Sequence, residues 1–356
     1  MKTKLLIAVL VLCQFTAFAK PITKEQAKQK AKTFLTSTTA NGMRKGKAKG
    51  TSSQLTAVME DPNFYVFNVG TDNGYVVVSG SDRTKAILGY TDAGAIDAGN
   101  IPDPMKEWFK ELSTAIAMME SGQTTGMKKV SQAKASSTRS ITKNVIPILV
   151  QCRWNQGEPY NLDCPEYKSK NGNKGRCATG CVATAMAQIL GYWRTPVTTV
   201  PRIPSYKYLY EDSLYTLDAL PPVTFDWEHI TDIYDDNSSA ESKKAISQLM
   251  RYVGQSVHMS YGPSSGAGIG HIATAFIKYF GFDPNLHYES HSSYSYQEWE
   301  DLIYSELAAG RPLAMNANTS EGGGGHEFVL DGYDGNGYYH INWGWGGLDD
   351  GYFLLT

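Results

Sequence analysis

From Cys181 the apolar positions recur at Val182, Ala185, Met186, Ile189, Leu190 and Trp193, the three-and-four spacing that lays one face of a helix against a core. This predicts a helix over 181–193. The same period predicts helices over 22–35, where Ala27, Ala31 and Phe34 line one side of a lysine-rich stretch, over 104–119 and over 241–257. The pattern changes to continuous β-branched and aromatic runs at 64–69 and 75–79, separated by Asp72-Asn73-Gly74, which reads as a β-hairpin. Residues 87–90 add a further strand. Beyond Pro312 the chain is strand and turn, with Phe328-Val329-Leu330, the turn Asp334-Gly335-Asn336-Gly337, and a run over 338–343. No internal repeat is present.

Two stretches lose the apolar pattern. Residues 36–54 are rich in Thr, Ser, Gly and Lys, and residues 121–143 are filled with Ser, Thr, Gln and Lys. The second reads as an exposed, protease-accessible linker. It divides a small α+β unit from a carboxyl-terminal part of 213 residues, enough for one large domain or two packed halves around a cleft.

The amino-terminal end has a different character. Lys2 and Lys4, the apolar run from Leu5 to Leu12, and Ala17-Phe18-Ala19 form a secretory signal over 1–19. Cys13 follows Leu12 and not a small residue, so a lipid anchor is not expected. Nothing later approaches the roughly 18 continuous apolar residues of a membrane span, so no membrane partner is expected.

Charge adds a second division. The net charge of −2 conceals 18 Lys and Arg against 11 Asp and Glu over 20–143, and 13 against 24 over 144–356. The two parts are electrostatically complementary, which favours docking of one on the other and argues against nucleic acid as a partner of the acidic part.

Past the signal, four cysteines remain: Cys152, Cys164, Cys177 and Cys181. Gaps of eleven, twelve and three residues lack the tight pairs of a zinc site, so no metal is expected. Cys181 follows the glycine-marked turn Gly175 to Gly180 and opens the 181–193 helix. Unpaired N–H groups and the positive end of the helix dipole there favour thiolate, the attacking species. The plain alternative is a buried structural cysteine.

Thiol catalysis requires a base and a group that orients it. Of the seven histidines, His326 follows the run Gly322 to Gly325 and starts a strand, where a glycine run lets backbone approach a reacting centre. Folding the hairpin about Gly335-Asn336 brings His326 opposite 342–345. Asn342 would then hold the imidazole and Trp343 would shield it; the alternative is a surface histidine on a glycine-rich loop. Gln156, in a turn-rich segment before the helix, would offer a side-chain amide to an oxyanion alongside the Cys181 N–H.

Five motifs in this order carry a resemblance. They are Trp154-Asn155-Gln156-Gly157-x-Pro159-Tyr160-Asn161, Ala178-Thr179-Gly180-Cys181-Val182-Ala183-Thr184-Ala185-x-Ala187-Gln188, Tyr261-Gly262-Pro263-Ser264-Ser265-Gly266, Gly325-His326-x-Phe328-Val329-x-Asp331-Gly332, and Tyr339-His340-x-Asn342-Trp343-Gly344-Trp345-Gly346-Gly347. From about Val145 onward the chain resembles the streptopain family of secreted, papain-clan bacterial cysteine peptidases, which also includes interpain. The resemblance implies an α+β, papain-like catalytic domain over 144–356, with a helical half bearing the nucleophile and an antiparallel β half bearing the histidine. It implies Cys181 as nucleophile, His326 as general base and acid, Gln156 as oxyanion donor, and Asn342 with Trp343 as positioning groups.

It further implies a zymogen in which 20–143 is a small α+β inhibitory propeptide, ending in the 121–143 linker and acting as an intramolecular partner until it is removed. The substrates would be proteins and peptides, with a hydrophobic residue two positions before the scissile bond. Gly262, Pro263, Ser264, Ser265 and Gly325 would line the substrate cleft. No cofactor is implied. Two features depart from the family: it has no cysteine at the position of Cys177, which leaves open pairing with Cys181, Cys152 or Cys164, and it continues past the position of Thr356 with a glycine-rich segment.

Two other readings compete. Gly262-Pro263-Ser264-Ser265-Gly266 satisfies the Gly-x-Ser-x-Gly pattern of serine hydrolases, but the surrounding residues read as loop and not as strand, turn and helix. A secreted, non-catalytic binding or adhesion module would instead use Asn342 to Gly347 as a surface turn.

Overall fold

A computed structural model describes residues 21–37, 54–121, 142–318 and 325–355. The expected signal, nearly all of the expected linker, and Gly322 to Gly324 lie outside the described residues.

The first helix, α1 (Lys24–Thr36), starts at a capping box. Thr23 Oγ1 accepts from the Gln26 N–H, and the Gln26 side chain accepts from the Thr23 N–H, satisfying two otherwise orphan donors. Four strands follow, β1 (Leu55–Asp61), β2 (Phe64–Val69), β3 (Tyr75–Ser79) and β4 (Ile87–Tyr90), and then α2 (Asp103–Glu120). Strand periodicity sorts the core. Phe67, Val69, Val76 and Val78 pack under α1 with Ala27, Ala31 and Leu35, whereas Phe64, Val66, Tyr75 and Val77 pack on the other face under α2 with Met105, Phe109, Leu112 and Ile116.

The two expected parts share one sheet. Strand β4 pairs antiparallel with a short carboxyl-terminal strand, β12 (Gly351–Phe353), through Tyr90↔Tyr352 and Gly89↔Phe353. The resulting eight-stranded sheet runs β1-β2-β3-β4-β12-β11-β10-β9, with β9 at Leu313–Asn318, β10 at Gly325–Tyr333 and β11 at Tyr339–Asn342. A Cβ at Gly89 would stand 2.4 Å from the Phe353 ring, so the close approach at this seam requires glycine. Tyr90 stacks on Tyr352 at 5.3 Å and donates to Asp334 Oδ2 at 3.1 Å. Tyr338 Oη donates to the Ile87 carbonyl at 3.1 Å, and Lys85 Nζ to the Asn336 carbonyl at 3.3 Å.

The helical half contains α3 (Cys181–Trp193), α4 (Ala240–Ser256) and α5 (Ile272–Phe280), with two small hairpins, β5–β6 (Glu166–Lys168, Lys174–Arg176) and β7–β8 (Tyr206–Tyr210, Ser213–Leu217). The one-faced pattern expected of α3 understates its burial. Every residue from Val182 to Leu190 is buried, because α4 and α5 flank it and the sheet strands β9 and β10 close the remaining side. The last helix, α6 (Tyr296–Ala308), covers the opposite face of β9 and β10 with Ile303, Tyr304 and Leu307. Alternation along β10 therefore has consequences for the site. Val329 joins the core of the helical half, and Phe328 and Leu330 join the core under α6.

Candidate active site

The start of α3 is fixed by backbone and not by a side-chain cap. Gly180 holds φ 87° and ψ 147° with no capping hydrogen bond, and a Cβ there would meet Met259 Sδ at 2.7 Å and the Ser265 carbonyl at 3.0 Å. Only glycine suits both that φ and that space. The turn is braced from two sides. The Ala178 N–H donates to the Gly262 carbonyl at 3.0 Å, Ser265 Oγ donates to the Ala178 carbonyl at 2.7 Å, and the Thr179 N–H donates to the Gln156 carbonyl at 3.0 Å. Cys181 is left half-buried at the floor of the seam between the two halves.

Burial pushes the Cys181 thiol above its ordinary value. The N–H groups of Glu327, Val182 and Cys181 itself oppose that shift, and the nearby Glu327 carboxylate adds to it. The helix-start effect expected from the sequence is present in these amides but is outweighed by loss of solvent.

His326 is the second residue of β10 and is 6% exposed. Its Nε2 lies 2.9 Å from the Trp343 carbonyl; since a carbonyl only accepts, Nε2 carries the proton and Nδ1 the lone pair. The ring lies 4.9 Å from Trp345 and 6.0 Å from Trp343, and the two indoles stack 5.3 Å apart with planes at 8°. Burial pulls the imidazole down to about 4, against the Trp343 carbonyl, which raises it. Among the described residues no hydrogen bond joins Cys181 to His326. With the thiol shifted up and the imidazole shifted down, burial favours the neutral form of both groups.

The hairpin places its partners as expected to within a residue, but the positioning group differs. The register Val329↔Asn342 puts Asn342 on the face of β10–β11 turned to the helical half, away from the His326 ring. Its Oδ1 accepts from Gln188 Nε2 at 2.8 Å and from the Gly344 N–H at 3.0 Å, and its Nδ2 donates to the Cys152 carbonyl at 2.8 Å. Asn342 thus ties α3 to the strand end, and the main-chain carbonyl of the next residue holds the imidazole. The Trp343 indole stands 6.0 Å from the imidazole, and Trp345 lies nearer still at 4.9 Å. Trp343 and Trp345 alternate in sequence, a spacing that sets both indoles on one side of an extended chain.

Gln156 is placed beside the nucleophile turn through its carbonyl bond to Thr179. Gly262 and Ser265 brace the Cys181 turn from behind, Pro263 and Ser264 are exposed on the loop, and Gly325 starts β10 opposite Asn318. Ser264 stands in a loop and Ser265 Oγ is taken up by the Ala178 carbonyl and the Gly262 N–H, so no nucleophile elbow is formed. All four cysteines of the described residues are free thiols. Motif reading passed over Glu327, whose amide reaches Cys181 and whose side chain is 2% exposed. Asp331 accepts from His340 Nδ1 at 2.6 Å and from the Val150 N–H at 2.8 Å, pinning the start of the catalytic part to the sheet.

The Peptidase C10 family matches residues 154–353, and the Spi protease inhibitor family matches residues 19–116. Streptopain of Streptococcus pyogenes is 34% identical over 363 residues, covering 93% of this chain and 84% of its own length. The thiol protease/hemagglutinin PrtT of Porphyromonas gingivalis is 31% identical over 373 residues, 98% of this chain but 40% of PrtT. Among solved structures, a mutant fragment of Prevotella intermedia prointerpain A superposes with a TM-score of 0.67 at 29% identity, over 85% of this chain and 91% of that one. Active wild-type interpain A superposes with a TM-score of 0.52 at 34% identity, over 60% and 88%. The alternative of a non-catalytic binding module finds no support among these relatives. The chain belongs to the Peptidase C10 family: it is a streptopain-like cysteine peptidase preceded by its own Spi-type inhibitory propeptide.

Proposed function

We propose that Cys181 and His326 are the catalytic pair of a secreted endopeptidase, held neutral in the precursor by a propeptide over 20–143 and freed by self-cleavage between Ser137 and Val145. The observation that carries this reading is the adjacency of Cys181 and β10. The amide that joins His326 to Glu327 already points at the sulfur, while alternation along β10 sets the imidazole on the Phe328 side, so forming the pair requires the ring to turn from that side toward the thiol. Propeptide helix α2 reaches the site through aromatic contacts. Trp108 lies edge-on to Phe353 at 5.3 Å, and Phe353 lies edge-on to Trp343 at 5.7 Å. Removing α2 rehydrates this layer, lowers the cost of charge, and lets the thiolate–imidazolium pair form.

In the mature enzyme His326 Nδ1 takes the Cys181 proton while Nε2 stays on the Trp343 carbonyl. The thiolate attacks the peptide carbonyl, and the oxyanion rests on the Cys181 N–H and the Gln156 amide. His326 then protonates the leaving amine, and water releases the acyl-enzyme. Asn342 acts indirectly by bracing Trp343 against α3. Pro263, Ser264 and Gly325 line the cleft with Gly262 and Ser265 supporting them from behind, an apolar residue is preferred two positions before the scissile bond, and residues 1–19 direct export.

Cys181→Ala tests this directly. It should lower peptide hydrolysis by about 10³-fold or more, abolish labelling by a thiol-directed epoxide, and leave the melting temperature within a few degrees of wild type. Retained activity in that variant would overturn the assignment of the nucleophile.

A further inference from the structure

One buried acid lies at the centre of the site with no task in the reaction above. Glu327 follows His326 on β10 and pairs across the ladder with Asn316 of β9. Alternation along the strands fixes which way it faces. Val329 of β10 and Ala314 of β9 belong to the core of the helical half, and Phe328, Leu330, Leu313 and Met315 belong to the core under α6. Glu327 therefore shares the Val329 face and stands in the seam between the two halves, where Cys181 also packs. Its carboxylate is close enough to act on the Cys181 sulfur. Its side chain is 2% exposed, and Oε2 has no hydrogen-bond partner among the described residues.

A buried carboxylate oxygen without a donor costs free energy unless a ligand supplies one. Among the described residues facing it, the Asn316 amide on β9 is neutral, Cys181 at the start of α3 is the titratable neighbour, and no cation acts on it. A peptide laid over Cys181 brings its side chains nearest the scissile bond into this seam. We propose that Glu327 is a specificity-determining residue whose free Oε2 receives the cationic side chain of a substrate lysine or arginine beside the scissile bond. The proposal rests on the peptidase reading of Cys181 and refines it.

Two further observations agree. The catalytic part is strongly acidic, with 24 Asp and Glu against 13 Lys and Arg over 144–356, which draws basic chains toward the cleft. The chain's own cleavable segment supplies the matching partner: residues 121–143 contain Lys128, Lys129, Lys134, Arg139 and Lys143 and no acidic residue. Burial raises the Glu327 carboxyl to about 7, against the Asn316 hydrogen bond, which lowers it. The acid is thus neutral and tolerant of apolar side chains below that pH and anionic above it, which reconciles a basic preference with the family's apolar one.

The test uses enzyme processed from the full chain, counted by epoxide titration so that loss of the nucleophile is not confused with loss of selectivity. Peptides carrying Lys, Gln or Leu at each of the three positions before the scissile bond are compared at pH 5.5 and 8.5. In wild type, the kcat/KM ratio of Lys over Leu at one position should rise about 10- to 100-fold with pH, the worth of a charge-assisted hydrogen bond. In Glu327→Gln it should be flat with pH and favour Leu throughout. A wild-type ratio that does not change between the two pH values overturns the proposal even if the variant fails to fold. A Glu327→Gln enzyme that titrates fully with epoxide and keeps the wild-type preference overturns it independently.

Discussion

Two opposing effects meet at the Cys181 sulfur. Three backbone N–H groups favour the thiolate, and burial together with the Glu327 carboxylate disfavours it; the balance lies with the thiol. The same burial holds His326 at about 4. In the uncleaved precursor, alkylation of Cys181 by iodoacetamide should therefore follow a free thiol, rising with pH past the ordinary cysteine value, since a raised pKa delays ionisation. In the processed enzyme the rate should already be high at acidic pH, as it is for an imidazolium-paired thiolate. Rapid-mixing alkylation across pH 4 to 10 checks this, and superimposable profiles for the two forms would contradict it. At this scale the sequence was informative about identity and less so about contacts. Gly180 before Cys181 and the glycine run before His326 marked both positions. Asn342 was assigned to the imidazole because hairpin counting brings it near, but a strand offset of one residue reverses the face. The carbonyl of Trp343 carries no side-chain signature and was invisible to residue-type reasoning.

Elements explain how the propeptide reaches a site it does not line. Strand β12 is three residues long and forms both the edge of the catalytic sheet and the partner of β4. Across the same seam, Trp108 of α2 lies edge-on to Phe353 of β12. Trp108→Ala removes this wedge and should weaken docking by about 2–3 kcal/mol, less than the roughly 3–5 kcal/mol of a fully buried Trp→Ala change because Trp108 is only partly buried. The precursor should process itself several-fold faster and melt at lower temperature, while kcat/KM of the processed enzyme stays at the wild-type value. Wild-type processing rates on a gel time course would count against this route of inhibition. Strong periodicity made α1, α2, α3, α4 and the β2–β3 hairpin legible to within a residue or two. Strand β12, at three residues, is too short to show a period. Strand β9, Leu-Ala-Met-Asn-Ala-Asn, has little β-branched content, and its pairing with β10 decides its state. Continuity of one sheet across both parts depends on that short strand, so the sequence suggested two separate units.

At the scale of the molecule, the opposite charges of the two parts set a long-range attraction, and most of the contacts that hold them are of another kind. Among the described residues the seam has a β-ladder with aromatic stacking, the Tyr90–Asp334 and Tyr338–Ile87 hydrogen bonds, one lysine on a carbonyl and, where the linker ends, Lys143 Nζ paired with Glu300 at 3.1 Å and Asp301 at 2.9 Å. The precursor is thus a single sheet that cleavage converts into an enzyme and a detachable strand-rich inhibitor. In the proposed route the site performing the cleavage is the chain's own Cys181. Intact mass of purified wild type and Cys181→Ala, incubated under mildly reducing conditions with and without a thiol-directed epoxide, tests that claim most directly. The account predicts that wild type alone loses the mass of about residues 20–143, that epoxide blocks the loss when added first, and that the processed form takes up one adduct at Cys181. Processing of pure Cys181→Ala at the same bond, or a wild type that stays whole and unlabelled after the linker is trimmed by an added protease, would contradict it.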